Sequence, residues 1–172
     1  MFDIQHSIFD ISSANCIIHL MEHNKINVRV RLIVIHNRKV LVHYRKHGDY
    51  YHYIGGHLEY GETIKNACIR EVKEECGENV DFNFQKILYI RDFIKPDEKE
   101  HSVELFILGD INKFEELENR KDPQHSDGSV WLKWLEVEKL PENLLPKTLS
   151  SKLLQDYKKG FLKEGEYIGE IV

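Results

Sequence analysis

The chain has 172 residues, 41% of them hydrophobic and 31% charged, with a formal net charge of −5. That length fits one domain with a proper core and leaves no room for a second catalytic domain. The acidic balance, without a clustered basic stripe, argues against a broad nucleic-acid surface, and no run of 18 apolar residues offers a membrane span.

Residues 1–26 read as an N-terminal extension packing on the domain. They contain no basic stretch followed by a continuous apolar run, so neither a secretory leader nor a membrane segment is expected. Cys16, Cys68 and Cys76 form no close metal-type pair, and their odd number argues for free thiols in a reducing compartment. A cytoplasmic protein is the expectation. The ten histidines are dispersed and never form HExxH or accompany a CxxC.

From Asn27 the pattern sharpens. Val28, Val30, Leu32 and Val34 alternate with Arg29, Arg31, Ile33 and Ile35, a strand whose second half is apolar on both faces and so enters the interior of a sheet. The break at residues 36–39, followed by Val40, Leu41, Val42 and Tyr44, predicts a hairpin. Arg45-Lys46-His47 then leads through Tyr51-His52-Tyr53-Ile54, read as an approach loop, to Gly55-Gly56.

Residues 63–76 have helical spacing, with Ile64, Ala67, Cys68, Val72 and Cys76 on one apolar arc and Glu71 and Glu75 in the middle of it. A carboxylate driven toward a sheet must be paired, protonated or bound to a cation. Glu71, Glu74 and Glu75 lie three or four residues apart or adjacent, so they can converge on hard cations, and an oxygen-only set favours magnesium or manganese over zinc. Arg70, four residues before Glu74, is spaced to orient a carboxylate. A solvated charged helix remains the alternative reading of the glutamates alone.

Further on, residues 87–93 and 102–109 are β-rich runs on either side of a charged loop. Residues 114–129 predict an exposed loop with a helical turn, able to close over a site, and 130–135 another strand. Residues 136–145 are turn-rich. Leu149, Leu153 and Tyr157 mark a second helix that stops at Gly160, and residues 163–172 read as a tail without period.

The flanking glycines make the helix more specific. Gly56, Glu62, Arg70, Glu71, Glu74, Glu75 and Gly77, with Val72 at the first apolar position, fit the spacing G-x5-E-x7-R-E-U-x-E-E-x-G-U, where U is bulky and apolar; Glu78 stands at the last U. This is the Nudix box, and the chain resembles the Nudix hydrolase family. The box covers 23 of the 172 residues, and the Trp-x-x-Pro that many members carry before the paired glycines is missing.

The resemblance implies an α/β fold, a Nudix-type α/β/α sandwich with a mixed β-sheet over residues 27–162. It implies hydrolysis of a pyrophosphate bond in a nucleoside diphosphate linked to another group, a nucleoside triphosphate or nucleotide-sugar-like compound. A Nudix-fold nucleotide sensor is the alternative. It also implies a magnesium ion, replaceable by manganese, held by the Gly56 carbonyl and the side chains of Glu71, Glu74 and Glu75, with Arg70 orienting a glutamate. Glu62 is an outer-shell candidate.

The general base is open between Glu74 and Glu71, with Glu115, Glu116, Glu118 and Asp127 of the long loop eligible for an extra acid. Arg45 is the expected phosphate contact, and His57 and His52 stand close enough in sequence to join it. Tyr51 and Tyr53, beside the box, are expected to hold the base, ahead of Tyr89, Trp131 and Trp134. The expected partner is a small nucleotide, with no nucleic acid or membrane, and homodimerisation is left open.

Overall fold

The computed structural model describes residues 25–170. All but the last two residues of the expected N-terminal extension lie outside that range, as does Cys16.

Among the described residues, eight strands form one curled mixed sheet. β1 (Asn27–His36) turns into β2 (Lys39–Arg45), and β3 (Tyr50–Tyr53) follows. After helix α1 (Ile64–Cys76) come the long β4 (Phe82–Lys95) and β5 (Glu100–Ile111), then β6 (Val130–Glu136) and the short β7 (Leu144–Leu145). Helix α2 (Lys147–Lys158) precedes the last strand, β8 (Glu166–Glu170). The spatial order is β7-β3-β2-β1-β5-β4-β8, with β6 added on β2.

The expected β1–β2 hairpin turns on two residues, Asn37 and Arg38, both at positive φ, the geometry that suits the twist of paired strands. β1 runs parallel to β5, and its alternation sorts the core. Val30, Leu32 and Val34 face α1, whereas Ile33 and Ile35 face α2. The sheet is thus covered on both faces, the sandwich expected from the sequence.

Helix α1 starts at Thr63, whose hydroxyl accepts from the Asn66 N–H, and ends at Gly77, at φ 122. Ala67, Cys68, Val72 and Cys76 pack on Leu32, Val34, Ile54 and Ile107. Lys65, on the same arc, runs outward over the Phe84 ring. Cys68 and Cys76 are buried free thiols, pushed up to about 12 and beyond by that burial.

Two segments differ from the sequence reading. Residues 50–53 are a strand, paired antiparallel to β2 and parallel to β7, rather than a loop. β2 offers an edge that the short aromatic run fills, and four residues are too few to show a period. The stretch read as a tail contains β8, which adds in parallel to β4. Its backbone pairing is supplied by the partner strand, and Gly165 and Gly169 in the run conceal the β signal.

The paired glycines are part of the sheet's architecture. Residues 54–58 run along the free side of β1 through Leu32 N–H to the Ile54 carbonyl, Val30 N–H to the Gly56 carbonyl and Leu58 N–H to the Val28 carbonyl, all 2.8–2.9 Å. Gly55 is at φ 113, and a Cβ there would stand 2.4 Å from the Val30 carbonyl oxygen. Gly55→Ala should therefore destabilise the fold by about 2 kcal/mol or more, against about 1 kcal/mol for Gly61→Ala, where φ is also positive but nothing lies within 4 Å. Paired thermal melts test the difference; equal losses would show that close approach to β1 is unimportant.

Candidate functional site

A cavity of about 740 Å³ opens between α1, the glycine segment and the upper faces of β1–β5, within the range of small-molecule sites. One wall is acidic. Glu71 and Glu75 are 5% and 6% exposed although they are charged residues, because the helical period that buries Cys68, Val72 and Cys76 carries them under the same arc.

Each carboxylate is anchored by one side. Glu75 Oε2 accepts from the Gly55 N–H at 2.8 Å, and its Oε1 lies 3.6 Å from His43 Nδ1. Glu71 Oε1 takes the Arg70 Nη1–H at 2.8 Å, and Glu74 is held by Arg70 and by the Gln124 amide, which donates to Oε2 at 2.9 Å. Arg70 also donates to Glu62 and to the His57 carbonyl. Glu62 in turn accepts from the Glu59 N–H, so it fixes the arginine that spaces the other glutamates.

This packing sets the electrostatics. Burial pushes the Glu75 carboxyl up to about 8, outweighing the Gly55 hydrogen bond. Burial also raises Glu71, with Arg70 opposing it. Glu62 is lowered by its hydrogen bond from Arg70. His43, 1% exposed, falls to about 4 through desolvation and is neutral. With Arg70 wedged between Glu71 and Glu74, no three ligating side chains among the described residues are already closed around one point.

The opposite wall is basic. Arg31 and Arg91 share the buried Glu104, Arg31 through Oε1 at 2.9–3.0 Å and Arg91 through Oε2 at 2.6 Å. Burial pushes Glu104 up, but the two guanidiniums outweigh it and hold the carboxyl below its ordinary value. Two guanidiniums thus stand on the wall facing the carboxylates. Arg29 pairs with Glu100 and donates to His57.

The structure redistributes several expected roles. The Gly56 carbonyl is turned to β1 and accepts from Val30, because the glycine segment pairs as a strand. The Gly55 carbonyl lies on the cavity side instead, where Arg31 Nη1 reaches it at 3.2 Å. Arg45, His52 and His57 all line the cavity. Because β3 alternates, Tyr50 and His52 take the cavity face, whereas Tyr51 packs on Tyr44; Tyr53 also borders the cavity, at 1% exposure and with its ring edge-on to Phe106. Tyr89 is buried and bonds Asp156 on α2, Trp131 stacks near Tyr44, and Trp134 packs with His36 and Phe114. None of these three lines the cavity.

The long loop also supplies an acid other than those expected. Glu118 is tied to Lys133 and the Trp134 N–H, and Asp127 to Ser129 and His47; neither reaches the cavity, and Glu115 and Glu116 stay outside it. Asp122 does reach it, 4% exposed, accepting from the Gln124 N–H and standing 2.8 Å from His125 Nδ1. Its pairing with Val130 places it there, since the Asp122 N–H donates to the Val130 carbonyl. A Pro at 123 and a His three residues after Asp122 were the local signals of an ordered turn.

Helix, glycine loop and acid-lined cavity agree with a wider comparison. The family model of the NUDIX domain matches residues 25–156. The chain belongs to the Nudix family. No curated protein matches the sequence. Similar solved structures include a MutT Nudix hydrolase from Burkholderia pseudomallei, with a TM-score of 0.56 and 19% identity over 76% of this chain and 97% of that one. An ADP-ribose pyrophosphatase from Streptococcus suis gives a TM-score of 0.58 and 17% identity over 85% and 100%. A UDP-X diphosphatase gives a TM-score of 0.57 and 15% identity over 94% and 75%. These likenesses are of fold. As a member of the family the chain is a Nudix hydrolase, of the pyrophosphohydrolase class, and such enzymes generally use divalent metals. Among the described residues no helix is long and apolar enough to cross a membrane.

A carboxyl that binds its proton more tightly when folded favours folding at low pH, and the advantage disappears as pH rises through the folded-state value. For Glu75 the window runs from its ordinary value of 4.5 to about 8. The metal-free protein should lose melting temperature across that range, relative to Glu75→Gln, and millimolar magnesium should remove the difference. Parallel wild-type and variant curves would mean that Glu75 is solvated.

Proposed function

We propose that this protein hydrolyses the pyrophosphate bond of a nucleoside diphosphate linked to another group, a nucleoside triphosphate or nucleotide-sugar-like substrate, with magnesium as its cation and manganese as a substitute. The observation that carries the reading is the buried Glu75 carboxylate, fixed by the Gly55 N–H and faced across the cavity by the Arg31–Glu104–Arg91 cluster. A buried carboxylate with no cationic side chain bonded to it among the described residues is costly by itself, and a divalent ion offsets that cost.

The donor set fits such an ion. Glu71, Glu74 and Glu75 would hold it together with the Gly55 carbonyl, all four being oxygen ligands on the cavity side, and Asp122 lies on the same cavity wall. When bound, the cation neutralises diphosphate charge and acidifies water. The chain's own residues do the rest. Arg31 and Arg91 bind the phosphate oxygens of the reacting diphosphate; Arg70 keeps Glu71 and Glu74 apart and aimed; Glu62 holds Arg70. Glu74, 35% exposed at its side chain and steadied by Gln124, is placed to take the proton of the attacking water, with Glu71 beside it.

Every one of these side chains belongs to one chain, so the proposal requires no second copy. Two buried free thiols suit a reducing compartment, the cytoplasm. A sensor that binds without turnover is the weaker reading, because every box carboxylate is retained.

Glu75→Gln should keep the Gly55 hydrogen bond and the fold while lowering metal-dependent nucleoside-monophosphate release by about 100-fold or more. Arg70→Ala should cost about 10-fold or more in kcat through disordered glutamates. The assay is release from a panel of nucleoside triphosphates, ADP-ribose, nucleotide sugars and dinucleoside polyphosphates, with magnesium, manganese or EDTA. Tight binding with no release across the panel would move the sensor reading to the front.

A further inference from the structure

Past the carboxylates, the cavity extends along β2 and β3 to another charged group. Arg45 lies two residues beyond His43 on the same face of β2, about 7 Å farther along the strand. Its Nε donates to His52 Nε2 at 3.1 Å, and His52 Nδ1 lies 3.1 Å from the Tyr53 carbonyl oxygen. A carbonyl can only accept, so the His52 proton is on Nδ1 and the lone pair on Nε2 receives the arginine. Both ring nitrogens are thereby committed, and the neutral imidazole acts as a bracket for the guanidinium.

Arg45 differs from the other cavity arginines. Arg29 has Glu100, Arg31 and Arg91 have Glu104, and Arg70 has Glu62, Glu71 and Glu74. Among the described residues no carboxylate pairs with Arg45, and its two Nη groups make no hydrogen bond. A half-buried guanidinium without a counter-charge invites an anion from the ligand. Tyr50 stands opposite Arg45 across the β2–β3 pairing, and Leu145 opposite His52, and both line the same cavity.

We propose that Arg45, bracketed by His52, forms a subsite for an additional phosphate that the substrate carries beyond the diphosphate being cleaved. The inference rests on the hydrolase reading above and narrows it: substrates with a distal phosphate, such as nucleoside triphosphates, are preferred to diphosphates that end in a neutral sugar. The displacement along β2 is the reason. The Glu71–Glu74–Glu75 group and the Arg31–Arg91 pair face each other where the reacting diphosphate binds, and Arg45 is one strand step too far on to share it. His52 is a positioning residue, acting on substrate only through Arg45.

The test compares kcat and KM for a nucleoside triphosphate and a nucleoside diphosphate sugar with the same base, in magnesium. Arg45→Ala should raise KM for the triphosphate by about 10- to 100-fold with little change in kcat, and shift KM for the sugar nucleotide less than about 3-fold. His52→Leu should follow Arg45→Ala. His52→Gln, whose amide oxygen can replace the Nε2 lone pair, should recover most of the loss, which a merely structural histidine would not predict. Equal losses on both substrates, or a wild-type preference for the sugar nucleotide, would overturn the subsite.

Calorimetric binding of both nucleotides to Glu75→Gln, with and without Arg45→Ala, repeats the comparison without turnover. Binding of the triphosphate that depends on Arg45, in a wild-type protein that hydrolyses neither compound, would overturn the hydrolase reading and keep the subsite. Turnover of both with KM unchanged by Arg45→Ala would do the reverse.

Discussion

The hydrogen bond from the Gly55 N–H to the buried Glu75 carboxylate joins the two parts on which the site depends. On one side is a glycine segment bonded along β1 like an irregular extra strand; on the other is a helix whose apolar arc is docked on the same sheet. The bond fixes their spacing. Because the helix is held by Ala67, Cys68, Val72 and Cys76, the two glutamates on that arc are largely withdrawn from bulk water, and their charge has to be managed inside the cavity. Arg70 manages part of it. The remainder is the cost that the proposed divalent cation would offset.

The cavity's chemistry follows from charges that do not cancel locally. Arg31 and Arg91 gather on Glu104 at the sheet wall, and Glu71, Glu74 and Glu75 crowd the helix wall around Arg70. In the proposed function a diphosphate with a divalent ion would bridge two such walls, anion toward arginine and cation toward glutamate. The low-lying imidazoles of His43 and His52 add no charge between them; burial keeps both neutral. His43 stands beside Glu75, and His52 beside Arg45, so the pair separates the acidic centre from the uncompensated guanidinium.

Local pattern carried the elements whose periods are long and whose faces are distinct. β1, the hairpin to β2 and helix α1 have period and punctuation enough to be read directly, down to Thr63 and Gly77 at the ends of α1. The residues hardest to read were those whose placement is made by a distant partner. β3 is four residues long and exists because β2 has an edge for it; β8 exists because β4 does. Asp122 reaches the cavity through backbone pairing with Val130, whereas Asp127, five residues on and equally acidic, is spent on Ser129. The Gly56 and Gly55 carbonyls point to opposite sides of one extended segment, an alternation visible only once that segment is known to pair with β1.

The sequence by itself determined the family, the fold class, the carboxylate helix and its arginine, because those depend on spacing within about twenty consecutive residues and on glycines that no other residue can replace. Only the tertiary structure decided which carbonyl faces the cavity, which acid of the loop reaches it, which tyrosines of β3 line it, and that no carboxylate among the described residues pairs with Arg45. Each of these is a relation between strands far apart in the chain. Burial, alternation across a sheet and the balance of neighbouring charges are properties of packed surfaces, and a linear pattern does not contain them until the strands are paired.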